Sequence, residues 1–211
     1  LPVNQITDMS VKYKIRDQHG LHFVTCSIVG WVDIFSRQYY RDLVLESWRY
    51  CQQHKGLQIH AFVFMPNHLH LIVSCRKPHL LRDVMRDWKH FTAKRILDYL
   101  KNPAKPESRR EWLIYLFSFF ALGKKHKQEY QVWQHDNHPI ELFSEEVIAQ
   151  KLDYIHLNPV RAGLVELPEQ WVYSSAPFYA AHAADAAFRT EPYVPMIEIV
   201  PIWKWFYEGG G

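Results

Sequence analysis

The sequence predicts an α+β domain in which an antiparallel sheet carries helices on one face. Three observations lead there. Strand-like, β-branched stretches recur at 21–30, 57–65 and 68–75. Only the turn Met65-Pro66-Asn67 separates the last two, so they should pair as a hairpin. Amphipathic stretches fall between the strands in the order β-α-β-β-α, followed by a further β-α.

In order along the chain, "LHFVTCSIVG" (21–30) reads as a strand ended by Gly30. Residues 36–56 have Leu43, Val44, Ser47 and Tyr50/Cys51 at helical spacing, with Ser36 as the expected cap and Gly56 as the stop. The hairpin strands 57–65 and 68–75 follow. Residues 80–100 form a long helix with Leu81, Val84, Met85, Trp88, Phe91 and Ile96 on its inner side. A charged, proline-containing loop at 101–110 leads to "EWLIYLFSFFAL" (111–122), which is helical and too short to span a bilayer. The basic "GKKHK" breaks that helix, and "EYQVWQ" (129–134) is a short candidate strand. Residues 144–159 form a helix capped by Ser144, acidic in its first turn and closed by Pro159. The segment after Gly163, rich in Pro, Ala and aromatics, should wrap the domain.

At 211 residues and 48% hydrophobic, the chain can bury one substantial core. Its formal charge of +3 is too small for a general polycation, so any nucleic-acid site must be local. Cys26, Cys51 and Cys75 lack a CxxC spacing and predict free thiols in a reducing cytoplasm. Residues 1–8 read as leader or expression-derived sequence before Met9, 9–180 as the functional domain, and 181–211 as a C-terminal extension.

The chemistry starts in "FMPNHLHLIV" (64–73). Residues two apart share a strand face, so His68 and His70 point one way while Leu69 and Leu71 point the other. In the 144–159 helix, Gln150, Tyr154 and Asn158 share one face and Lys151 lies one turn before Tyr154. Ile148, Leu152 and Ile155 supply the inward side. Laid over the histidine face, this helix would combine two imidazole nitrogens with the Asn158 amide oxygen. That mixed set suits Mg²⁺ or Mn²⁺, with Co²⁺ also compatible. A cation there would polarise a phosphate beside the tyrosine hydroxyl, with Lys151 assisting.

"MPNHLHLIV" followed by "KLDYIHLNPVRAGLV" resembles the REP-associated tyrosine transposases, a branch of the single-tyrosine HUH transposases named for a His-hydrophobe-His triplet, here His68-Leu69-His70. The resemblance spans roughly Met9 to Tyr179 and includes "HFVTCSIVGWVDIF" and "WQHDNHPIEL". It implies a ferredoxin-like or RRM-like HUH endonuclease fold, with Tyr154 as nucleophile and His68, His70 and Asn158 as metal ligands. It also implies a 5′-phosphotyrosine intermediate, single-stranded or hairpin DNA as partner, and a bacterial cytoplasmic setting on nucleoid DNA as monomer or homodimer, without a membrane. A catalytically silent hairpin-binding protein and a rolling-circle initiator or relaxase are the alternatives. A histidine-triad nucleotide hydrolase would need a third histidine where Ile72 stands.

Arg82, Arg86, Lys89/His90 and Lys94 form a basic stripe on the 80–100 helix, either a solvated face or a DNA-binding one. Arg161, just beyond the tyrosine helix, is a further candidate phosphate contact, as is Lys151. His135, Asp136, Asn137 and His138 could form a second metal cluster or a structural or DNA-contacting turn. His156 could touch DNA. Trp171, Trp203 and Trp205 read as packing and surface residues.

Overall fold

The computed structural model describes residues 15–122, 128–135, 137–183 and 197–207. The expected leader with Met9, the "GKKHK" break and Asp136 lie outside them. The elements are β1 (His22–Ser27), α1 (Gln38–His54), β2 (Leu57–Phe64), β3 (His68–Cys75), α2 (Leu81–Lys101), α3 (Arg110–Ala121), β4 (Ile140–Glu141), α4 (Glu145–Arg161), α5 (Ala176–Ala183) and α6 (Ile202–Tyr207).

The sheet runs β2-β3-β1-β4 with every pairing antiparallel. This is the strand order of a ferredoxin-like fold, in which β3 inserts between β1 and β2. The β2–β3 turn closes with the Met65 N–H donating to the His68 carbonyl at 2.8 Å. Both sheet margins are covered. The backbone of Val132, Gln134 and Asn137 bonds to Val29, just past β1, and to Ser27 and Thr25 within it, and the C-terminal segment bonds along β2 through Tyr173, Ser175 and Val200. The described residues after Gly163 therefore wrap the domain, as the composition of that segment predicts.

Alternation divides the two faces. Val24, Cys26, Phe62, Phe64, Leu69, Leu71 and Val73 turn toward α1 and α2, forming the larger core with Trp48, Trp88, Ile96 and Phe117. The opposite face carries Phe23, Ala61, Val63 and Ile72, and α4 covers it with Ile148 and Ile155, joined by Ile202 of α6. The three cysteines are free and buried.

Several local expectations give way to tertiary structure. Ser36 does not cap α1: its hydroxyl donates to the Asp33 carbonyl at 2.7 Å within a preceding 3-10 turn, and Arg37 takes the cap position. Gly56 does follow that helix, with φ +66°. Phe91 faces solvent at 51% exposure, because the buried stripe of α2 shifts to Trp88, Thr92 and Ile96. Residues 129–134 form no strand, only a bridge between Trp133 and Ile28, and β4 lies further on at Ile140–Glu141. Pro159 does not end α4. The helix continues to Arg161, caps at Ala162 and turns away at Gly163, whose φ is +69°. Proline omits only its own N–H, and the next turn still closes through the Ala162 N–H to the Asn158 carbonyl.

Candidate active site

β3 delivers His68 and His70 to the α4 side of the sheet, opposite Ser27 and Thr25 of β1 in the antiparallel register. Ser144 anchors α4 above them, its hydroxyl accepting from the Val147 N–H, with Glu145 and Glu146 in the first turn. Burial of Ile148 and Ile155 against Ala61, Val63 and Ile72 sets the rotation of the helix. That rotation turns Tyr154 onto the histidines.

The two imidazoles converge. Nε2 of His68 lies 3.2 Å from Nε2 of His70. On the far side of each ring a polar group holds Nδ1: Asn67 Oδ1 at 2.6 Å from His68, and Thr25 Oγ1 at 2.9 Å from His70. The Asn67 amide is itself oriented, because its Nδ2 donates to the Trp31 carbonyl at 3.3 Å. An amide oxygen only accepts, so His68 carries its proton on Nδ1 and turns a bare Nε2 lone pair toward His70. The Thr25 hydroxyl can donate or accept, so His70 can present either a proton or a lone pair at Nε2. Burial holds the His68 pKa below its ordinary value. Burial, with the nearby His68 and Lys151, pushes His70 down to about 3, so both rings are neutral at pH 7.

This arrangement fits a divalent cation. Two neutral nitrogens at 3.2 Å can serve as adjacent ligands with metal–nitrogen bonds of about 2.1 Å, and each ring has the outer hydrogen-bond partner that ligating histidines use. Asn158 sits half-buried on the Tyr154 face of α4, one turn on, and an amide oxygen is of the hard donor type. No hydrogen bond links it to either histidine. Among the described residues no group of three or more His, Cys, Asp or Glu side chains converges to hold a metal ion.

Tyr154 is 37% exposed, its ring 5.1 Å from that of His70 and 5.9 Å from that of Phe23, edge-on to both. Phe23 in turn stacks on His70 at 5.3 Å. Two cations flank the tyrosine: Lys151 Nζ and Arg161 Cζ each lie 5.8 Å from its ring centre, and Lys151 is also 5.0 Å from Phe23. Continuation of α4 past Pro159 is what brings Arg161 back, two turns beyond Tyr154. The result is a neutral donor pair with a partly exposed phenol and two positive charges beside it.

The basic stripe of α2 lies elsewhere. Arg82, Arg86, Lys89, His90 and Lys94 line a groove of about 610 Å³ whose other wall is 128–135 with Asn137. Because α2 packs on the Leu69/Leu71 face, this groove and the histidine site lie on opposite sides of the sheet. Its cations differ in what they already hold. Arg86 is bonded to Asp83 and Asp87 at 2.8 Å each, and Lys89 donates to Asn137 Oδ1 at 2.7 Å and to the Gln134 carbonyl, which fixes the opposite wall. Lys94 is exposed, and so is Arg82, whose guanidinium lies 3.7 Å from Asp83. Asn137 therefore serves a structural turn. His156 does not face solvent for DNA: it bonds Ser175 Oγ at 2.9 Å, packs on Tyr179, and is pushed by burial to a pKa of about 4.

Thr25, Asn67, Phe23 and Trp31 are site neighbours that a motif reading passes over. The register of β1 against β3 would reveal Thr25 and Phe23, and adjacency to the triplet marks Asn67.

A family model described as "Transposase IS200 like" matches residues 17–138, more than half of the chain. The match takes in the histidine pair and the α2 groove and stops before α4. Among solved structures, a REP-associated tyrosine transposase bound to a REP hairpin superposes with a TM-score of 0.55 at 16% identity, covering 89% of this chain and 95% of that one. A Deinococcus radiodurans protein assigned as a transposase aligns over 67% of this chain and 94% of its own at 19% identity, with a TM-score of 0.39, too low to define a common fold. No curated protein matches the sequence.

Proposed function

The chain belongs to the IS200-like transposase family, and on that premise we propose that it nicks and rejoins single-stranded DNA at hairpins through Tyr154. The observation that carries this reading is the packing of an accessible phenol against a convergent histidine pair, with Lys151 and Arg161 on either side.

Lys151 and Arg161 attract the DNA phosphate and hold it at the mouth of the site. The Tyr154 oxygen attacks phosphorus, forming a 5′-phosphotyrosine ester while the bond to the 3′ oxygen breaks. The phenolic proton is lost to solvent and the departing 3′ oxygen takes one up, so the products are the covalent adduct and a free 3′-OH. Attack by another 3′-OH reverses the step and joins strands without ATP, since the ester replaces the phosphodiester one for one. His68, His70 and Asn158 would hold a Mg²⁺ or Mn²⁺ ion, which when bound polarises a non-bridging phosphate oxygen. Thr25 and Asn67 keep the two rings aimed.

The α2 groove supplies the hairpin contact in this reading, with Arg82 and Lys94 on phosphates, Lys89 bracing the wall and Arg86 partly neutralised by its aspartates. The solved REP-associated relative of the same fold was bound to a REP hairpin, which supports that substrate class. No helix among the described residues is long and apolar enough to cross a membrane; the proposed setting is bacterial nucleoid DNA.

The test is incubation with labelled hairpin oligonucleotides and Mn²⁺, followed by denaturing electrophoresis. A covalent adduct should form with the unaltered protein and be absent from Tyr154→Phe. An adduct that persists in the variant removes Tyr154 as nucleophile. Tight binding with no adduct from any hairpin supports a binding-only protein instead.

A further inference from the structure

Trp31 presents a problem that packing does not solve. Its side chain is 59% exposed, yet its backbone has φ +54°, the left-handed region that bulky residues avoid. Gly30 before it is also left-handed, at φ +63°, and a Cβ there would come within 2.7 Å of the Phe120 ring of α3. The turn is therefore clamped from below by α3. It is clamped from above as well: the Trp31 N–H donates to the Ile28 carbonyl at 3.2 Å, and the Trp31 carbonyl accepts from Asn67, the residue that aims His68. The indole itself stands nearly perpendicular to the His68 ring, centroids 5.8 Å apart, and otherwise faces solvent. Backbone strain maintained for a side chain that is not buried calls for a functional explanation.

We propose that Trp31 is a stacking platform for an unpaired base next to the scissile phosphate, and so a positioning residue for the strand that Tyr154 attacks. The inference rests on the nickase reading and deepens it. A phosphate held at the His68–His70 pair places its neighbouring nucleotides within reach of a ring beside His68. An exposed indole offers them the sequence-tolerant π face that single-stranded DNA sites use. The occupant is thus a nucleobase. A protein partner would not make Trp31 depend on the bases beside the cut.

The experiment uses the full chain with Mn²⁺ and an oligonucleotide carrying a hairpin and an unpaired flank, with binding read by fluorescence anisotropy. Trp31→Ala should weaken binding about 10-fold, and Trp31→Phe should restore most of it. Mn²⁺ affinity should stay within about twofold, since the link to Asn67 runs through the Trp31 backbone. Single abasic sites scanned along the flank should reveal one position that costs the unaltered protein about 10-fold and costs Trp31→Ala nothing further. Trp31→Gly should bind as weakly as Trp31→Ala while its melting temperature holds or rises, because glycine accepts the left-handed backbone. Binding by Trp31→Ala within twofold of the unaltered protein overturns the proposal, as does an abasic penalty that is the same in both proteins at every position. Should the unaltered protein form no covalent adduct, the nickase reading fails while the anisotropy arms still decide the stacking role.

Discussion

His60 on β2 and His70 on β3 face the same side of the sheet, and only His70 turns its second nitrogen toward another imidazole. His60, fully buried on β2, donates from Nδ1 to the Val200 carbonyl at 2.9 Å and meets Ser74 Oγ with Nε2 at 2.8 Å, with Trp205 edge-on to its ring. His70, two strand steps from Ser74, has its Nδ1 engaged by Thr25 and its Nε2 aimed at the Nε2 of His68. Burial keeps both rings neutral, with pKa values lowered to about 4 and about 3. What separates them is the second nitrogen. At His60 a hydroxyl of β3, Ser74 Oγ, takes it, while the C-terminal segment takes Nδ1 through Val200. At His70 the second nitrogen faces the Nε2 of His68 instead, beneath the Tyr154 ring.

The largest predicted effect sharpens that contrast. His70→Ala should lower adduct formation by more than about 100-fold with hairpin affinity changed little. Equal loss of binding and cleavage would make His70 a structural residue like His60. His60→Ala should do the reverse. It removes a ring with two hydrogen bonds from the core and should cost about 2–4 kcal/mol in urea unfolding, with cleavage per folded molecule intact. A smaller effect concerns the outer partners: Asn67→Ala should weaken Mn²⁺ binding about 10- to 100-fold by freeing the His68 ring, as measured by calorimetry. Unchanged affinity would show that the ring needs no such restraint.

The smallest effect is on pH. The folded pKa of His60 lies below its unfolded value of 6.5, so the unfolded chain binds the proton first as pH falls. The contribution of His60 to stability is full above about pH 6.5 and declines from there toward its folded pKa. Between pH 7 and 5 it should amount to on the order of 1–2 kcal/mol, and His60→Gln should lack it. Parallel pH profiles for the two proteins would contradict the assignment of a neutral, closed His60.

Much of this was legible in the sequence where periodicity and chemistry coincide. Strand β3 runs from His68 to Cys75 as its alternation predicts, and the same alternation sorts Leu69 and Leu71 from His68 and His70. The Ser144 cap marks the start of α4, and the four-residue spacing puts Tyr154 and Asn158 on one face. Tertiary partners decide what was not legible. Pro159 is tolerated inside α4 because its ring is buried and the next turn still closes from the Ala162 N–H to the Asn158 carbonyl, and Trp133 joins the core through Trp88 and Phe35 without a strand around it. Thr25 and Phe23 become site residues only through the register of β1 on β3, and His156 is withdrawn into the core by Ser175.

On the proposed function, the His68–His70 pair binds a metal ion and His60 does not, a difference that Mn²⁺ titration followed by loss of the free-ion electron paramagnetic resonance signal can read. One bound Mn²⁺ per chain is predicted for the unaltered protein and for His60→Gln, and none for His70→Ala at the same concentrations. Equal Mn²⁺ binding by His70→Ala would contradict it.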